Sequence, residues 1–129
     1  MKNVRRSDLI EPDLSYQVVG ALYDVFNALG TGHREIVYKR ALATALKDRG
    51  LKVAEELYTP LTFKGRVIGR WRLDFLVEGR IVVEMKRGER IMKRDIEQVL
   101  EYLKTHHFRL GILANVAPGG VQFKRVINL

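Results

Sequence analysis

The segment from Arg72 to Lys86 leaves the chain few options. Two apolar, β-branched runs, Leu73–Val77 and Ile81–Met85, flank a turn containing Gly79, the pattern of two strands joined tightly. Asp74, Glu84 and Lys86 interrupt runs whose other members should be buried, and burying a charge is costly unless it is paired or bound. Glu84 and Lys86 are two apart, so on a strand they share a face while Met85 points away. The turn decides whether Asp74 joins them. A two-residue loop at Glu78-Gly79 pairs Asp74 with Val83 and sets Asp74 and Glu84 on opposite faces. A three-residue loop, Val77-Glu78-Gly79, pairs Asp74 with Val82 instead, and gathers Asp74, Glu84 and Lys86 on one face with Gly79 in the left-handed position. The second register is the expectation.

Two carboxylates converging beside an ammonium suit a hard divalent cation such as Mg2+ or Mn2+, which takes one or two carboxylates plus waters and substrate phosphate. Metal and lysine together stabilise charge on a phosphoryl group and activate an attacking water. The bland alternative is a salt-bridge cluster on a solvated sheet face. Asp-x9-Glu-x-Lys resembles the catalytic signature of the PD-(D/E)XK nuclease superfamily, without the proline of that name.

The 129 residues carry a net charge of +8 with a pI near 10.0, which favours a polyanionic partner, nucleic acid above all. The charge is uneven. Lys86, Arg87, Arg90, Lys93 and Arg94 follow the second strand, opposed locally only by Glu89, and Arg66, Arg70 and Arg72 share strand parity with Asp74. Positive charge therefore surrounds the acidic patch, as a phosphodiester approaching a metal requires. The absence of cysteine excludes a disulfide framework, a thiolate metal site and a cysteine nucleophile. No transmembrane run or signal-peptide apolar region is present, so a cytoplasmic location is expected.

Residues 1–12 are polar and basic (Lys2, Arg5, Arg6) with Pro12 as a breaker, and read as an N-terminal arm before a single domain over 13–129. Asp13 or Ser15 is expected to cap a helix running to about Leu29, and a second helix is expected from about His33 to Arg49, stopped by Gly50. Residues 52–63 read as a strand, with Pro60 placing it at an edge or bulge. On the strand after it, Val67, Trp71, Leu73, Phe75 and Val77 should face the helices. A third helix is expected from about Met92 to His106, with Gln98 and Tyr102 meeting on its surface flank. Arg109–Asn115 reads as a buried strand parallel to its neighbour. Val121–Ile127 is a strand or a short helix.

Gly32-His33-Arg34-Glu35-Ile36-Val37-Tyr38 matches the Gly-x-x-Glu-x-x-Tyr motif of the GxxExxY family, a PD-(D/E)XK branch, and the resemblance extends over roughly residues 14–128. It implies an α/β fold with a restriction-endonuclease-like αβββαβ core, a mixed central sheet flanked by helices. It also implies a Mg2+- or Mn2+-dependent nuclease acting on nucleic acid, with DNA favoured. Asp74, Glu84 and the Met85 carbonyl are then metal ligands, Glu35 completes the acidic site directly or through water, and Lys86 polarises the water. Gln-x-x-x-Tyr resembles the extra motif of RecB-like members, in which Gln98 supports the site and Tyr102 lies near the nucleic-acid path. Arg72, Arg87, Arg90 and Lys93 would bind the backbone, and Tyr38 would pack its helix. A homodimer or a targeting partner fits so small a nuclease. The rival classes are a non-catalytic nucleic-acid-binding module on the same fold, and a basic subunit docking a protein partner.

Overall fold

The computed structural model describes residues 10–129. Eight elements follow in order: α1 (Pro12–Leu29), α2 (Glu35–Asp48), β1 (Val53–Phe63), β2 (Arg66–Val77), β3 (Ile81–Arg87), α3 (Lys93–His106), β4 (Leu110–Ala117) and β5 (Gly120–Ile127). The strands form one sheet in sequence order, antiparallel except where β3 runs parallel to β4. A parallel neighbour needs a crossover, and α3 supplies it. Pro60 lies on the edge strand β1, beside a register shift at Leu61/Thr62. The last segment, open between strand and helix from its sequence, is a strand paired with β4.

The sheet separates two apolar layers. On one face α1 and α2 (Val18, Leu22, Leu42, Leu46) cover Phe75, Val77, Val83, Met85 and Ile112. On the other, Val99 and Leu103 of α3 cover Leu73, Val82 and Val126. Gly111 lets α3 settle onto β4, because a Cβ there would stand 2.6 Å from Val99 Cγ1. Tyr38, fully buried, donates its hydroxyl to Gly30 O at 2.7 Å and receives the His33 N–H, so it packs α2 and also ties down the preceding turn.

Three expectations are corrected. First, neither Asp13 nor Ser15 caps α1. Pro12 opens the helix after Glu11 in a left-handed conformation (φ 49), with no side-chain cap, and proline's fixed φ suits that position. The Ser15 hydroxyl lies inside the helix and receives the Arg125 guanidinium instead. Ile10 is buried, so the folded body begins before residue 13; Lys2, Arg5 and Arg6 of the expected arm lie outside the described residues.

Second, the β2–β3 hairpin pairs Phe75 with Val83, Leu76 with Val82 and Val77 with Ile81. Extended by one residue, this register sets Asp74 opposite Glu84, not Val82. The loop is Glu78-Gly79-Arg80, closed by Arg80 N–H to Val77 O at 3.0 Å, with Glu78 and Gly79 both left-handed. Gly79 adopts that conformation without steric cost. Glu78 is held in it by bonds to both backbone groups of Lys52. A slip of two residues preserves side-chain parity, so the inference that Asp74 and Glu84 come together survives the change of register.

Third, Val67, Trp71, Leu73, Phe75 and Val77 do not all face one way. Phe75 and Val77 belong to the α1/α2 layer, Leu73 to the α3 layer, and Val67 is exposed. The alternation breaks at Asp74, opposite Glu56, whose backbone is left-handed (φ 53). The kink coincides with the carboxylate of interest.

Candidate active site

The β2–β3 ladder ends at Phe75 and Val83. Just past that point the Met85 N–H is taken by Asp74 Oδ2 at 2.7 Å. Asp74 is 3% exposed and Glu84 4%, and the hairpin register carried on by one residue sets them opposite each other. Burial, then the bond to Asp74 and its charge, push the Glu84 carboxyl up to about 9, against the opposing pull of Lys86 and Lys39. A second negative charge in so dry a place is costly, so the neutral form of Glu84 is favoured.

Two lysines flank the pair. Lys39 of α2 places Nζ 3.0 Å from Asp74 Oδ1 and 3.2 Å from Glu35. Burial lowers its pKa, but the bonds and charges of Asp74 and Glu35 outweigh this and hold it above the ordinary lysine value. Lys86 lies on the α3 side, its Nζ 3.9 Å from Glu84 and 3.9 Å from Asp95, the N-terminal-turn acid that also accepts the Met92 N–H.

Two cavities lie beside the pair, one on Asp74 and one on Lys86. A cavity of 180 Å3 opens on Asp74 and is lined by Lys39, Arg40 and Arg72 among others, with Arg72 4.0 Å from Asp74. A second, of 450 Å3, is lined by Lys86, Arg87, Arg90, Arg94 and Asn115. The second is basic, its four cations set against Glu89 and Asp95, whereas the first balances its three cations with Glu55, Glu56 and Asp74.

Asp74, Glu84 and Lys86 are thus brought together as expected. Met85 contributes its backbone here and its side chain to the core. Glu35 reaches Asp74 through Lys39, not directly. Gln98 is half-buried one turn beyond Asp95. Arg87 and Arg90 line the larger cavity, whereas Lys93 points outward and pairs with Glu97 at 3.7 Å. Tyr102 departs most from its expected place on the surface flank. It is 5% exposed, its ring 4.3 Å from His106 and parallel to Phe108, and burial raises its pKa. Its ring is part of the α3 layer because helix α3 buries the face carrying Val99, Tyr102 and Leu103.

Sequence reasoning missed Lys39, Asp95 and Asn115. Lys39 lies four residues after Glu35, a spacing that joins opposite charges on a helix. Asn115 interrupts the buried strand β4 much as Asp74 interrupts β2, and it pairs in register with Lys86. It donates to Gly88 O and Gln122 Oε1, both at 3.1 Å, while its Oδ1 has no hydrogen-bond partner among the described residues. The Gly88 carbonyl can only accept, which fixes the amide orientation.

No three His, Cys, Asp or Glu side chains surround one point among the described residues. The donor set is two adjacent buried carboxylates, and it fits a hard cation that completes its shell with water and substrate oxygen. Among the described residues no helix is long and apolar enough to cross a membrane.

The model of the PD-(D/E)XK nuclease superfamily matches residues 12–126. Among solved structures the chain is similar to the one titled "Crystal structure of SSO0001", with a TM-score of 0.57 and 19% identity, over 95% of this chain and 62% of that one. At that identity the likeness concerns the fold, and this chain spans under two thirds of that protein's length. No curated protein matches significantly. The chain therefore belongs to the PD-(D/E)XK nuclease superfamily, and its five-stranded mixed sheet flanked by helices is a restriction-endonuclease-like fold.

Proposed function

We propose that the protein is a metal-dependent nuclease of the GxxExxY branch that hydrolyses phosphodiester bonds, in DNA by preference. The observation that carries this reading is the buried Asp74–Glu84 pair with Lys86 beside it, Asp74 lining one cavity and Lys86 a second, basic one. Asp74, Glu84 and the Met85 carbonyl would hold Mg2+ or Mn2+, with Glu35 reaching the site through water. The cation, when bound, supplies charge neutralisation at the phosphoryl oxygen and activation of water. Lys86 orients the water and stabilises developing charge, and Asp95 holds Lys86 in place from α3. Lys39 neutralises Asp74 before a cation arrives. Gln98 supports the site from the turn after Asp95. Arg72, Arg87 and Arg90 position the phosphodiester backbone.

Labelled single-stranded, duplex and branched DNA, incubated with Mg2+ or Mn2+, test the reading in wild type and Lys86→Met. Metal-dependent cleavage by wild type, lost in Lys86→Met with binding retained, is the expected result. Binding without cleavage of any of these substrates would overturn it in favour of a non-catalytic nucleic-acid-binding module.

A further inference from the structure

Beyond the site, β1 and β2 continue outward as a two-stranded ribbon that no other strand joins among the described residues. β2 pairs with β3 only from Phe75 onward, while its pairing with β1 runs out to Phe63 and Arg66. The base of the ribbon is fastened to α3 by Thr59 Oγ1 to His106 Nε2 at 2.7 Å. Past that point every residue from 62 to 70 is exposed. A ribbon with both faces in water is marginal by itself, yet this one carries Phe63 at 61% and Val67 and Ile68 at 69% exposure.

Its charge identifies an occupant. Residues 57–72 contain Lys64, Arg66, Arg70 and Arg72 and no acidic residue, half of the net +8 of the whole chain in sixteen positions. Two of these cations lie against the ribbon's aromatic rings, Arg70 4.3 Å from the centroid of Tyr58 and Lys64 5.5 Å from that of Phe63. Such stacking restricts long side chains before any ligand arrives, reducing the ordering cost of phosphate binding. The basic edge leads from the ribbon to Arg72, 4.0 Å from Asp74, where Glu55 and Glu56 of β1 line the same cavity.

We infer that the outer part of the β1–β2 ribbon, residues 60–70, is a duplex-binding arm that enters the major groove and holds the phosphodiester chain in line with Asp74. From Pro60 and Arg70 to the tip it reaches about 17 Å, and a two-stranded ribbon fits a major groove about 12 Å wide. The inference rests on the nuclease reading only for what lies at the ribbon's foot, since groove binding itself needs no catalysis.

The test is fluorescence anisotropy of a duplex about two helical turns long, in chelator so that nothing is cut. It compares wild type with Arg66→Ala/Arg70→Ala over a range of salt. The double variant should bind about tenfold more weakly or worse, with a log Kd–log salt slope shallower by about two, one for each phosphate no longer neutralised. Calorimetric Mn2+ binding at the Asp74 site should be unchanged, which separates this inference from the nuclease reading. Unchanged duplex affinity and slope would overturn it, as would a weakening confined to single strands. It would also be overturned if Val67→Asp/Ile68→Asp converted a sedimenting dimer to monomer without changing duplex affinity, because the ribbon would then be an interface between copies of this chain.

Discussion

Asp74 accepts the Met85 backbone N–H at 2.7 Å where β2 leaves β3, so one carboxylate closes a gap in the sheet and supplies the site's most buried charge. Asp74→Ala would leave that amide and Lys39 without a partner, at a cost of about 2–4 kcal/mol. Asp74→Asn keeps an acceptor for the amide and should cost less. Urea denaturation of the two variants measures the difference, and equal losses would mean that the amide bond contributes little.

Metal binding should be coupled to proton release. Glu84 holds its proton up to about pH 9 in the metal-free protein, and a cation must displace it. The apparent Mn2+ affinity should therefore rise by up to about tenfold per pH unit below that value. Calorimetry in buffers of different ionisation enthalpy should count close to one proton released per metal bound at pH 7.

The same proton sets a stability slope of opposite sense to that of an ordinary paired carboxylate. Folded Glu84 stays protonated where the unfolded chain has already ionised, so its contribution to stability is complete below the usual glutamate pKa and is lost as pH rises towards about 9. Lys39, whose pKa is raised, contributes below the ordinary lysine value and loses that contribution only at higher pH. In chelator, wild type should lose stability between pH 5 and pH 8 relative to Glu84→Gln, which cannot titrate. Parallel pH profiles of melting temperature for the two proteins would contradict this.

Gly111 holds α3, and with it Asp95, at its distance from the sheet. A Cβ at that position would meet Val99 Cγ1 at 2.6 Å, and Val99 is wholly buried. Gly111→Ala should destabilise by about 1–3 kcal/mol and slow cleavage further at temperatures where the variant remains folded, because the partner of Lys86 moves with the helix. Urea denaturation and cleavage rates of the variant measure the two effects.

Much of this architecture is legible in the sequence because its strongest signals are local. The apolar runs on either side of Gly79, the Gly50 stop and the charges breaking buried strands mark the sheet and its acidic pair without knowledge of the third dimension. What is not legible depends on interactions between distant segments. The hairpin register is fixed by Lys52 gripping Glu78, and the flip of β2 at Asp74 coincides with the left-handed Glu56 on the neighbouring strand. Tyr102 reads as a boundary residue by periodicity alone, and is buried because His106 and Phe108 close around it. The charge excess of the ribbon is visible in the sequence, but the exposure of residues 62–70 on both faces is not.

The central claim, that Asp74 and Glu84 form a cation site serving hydrolysis, is tested most directly by calorimetric titration of Mn2+ into wild type and Asp74→Asn, followed by labelled DNA added to the same samples. The account predicts one saturable site in wild type, its loss in Asp74→Asn, and cleavage only where the metal binds. Absence of a saturable site in wild type, or identical Mn2+ binding by the two proteins, would contradict it.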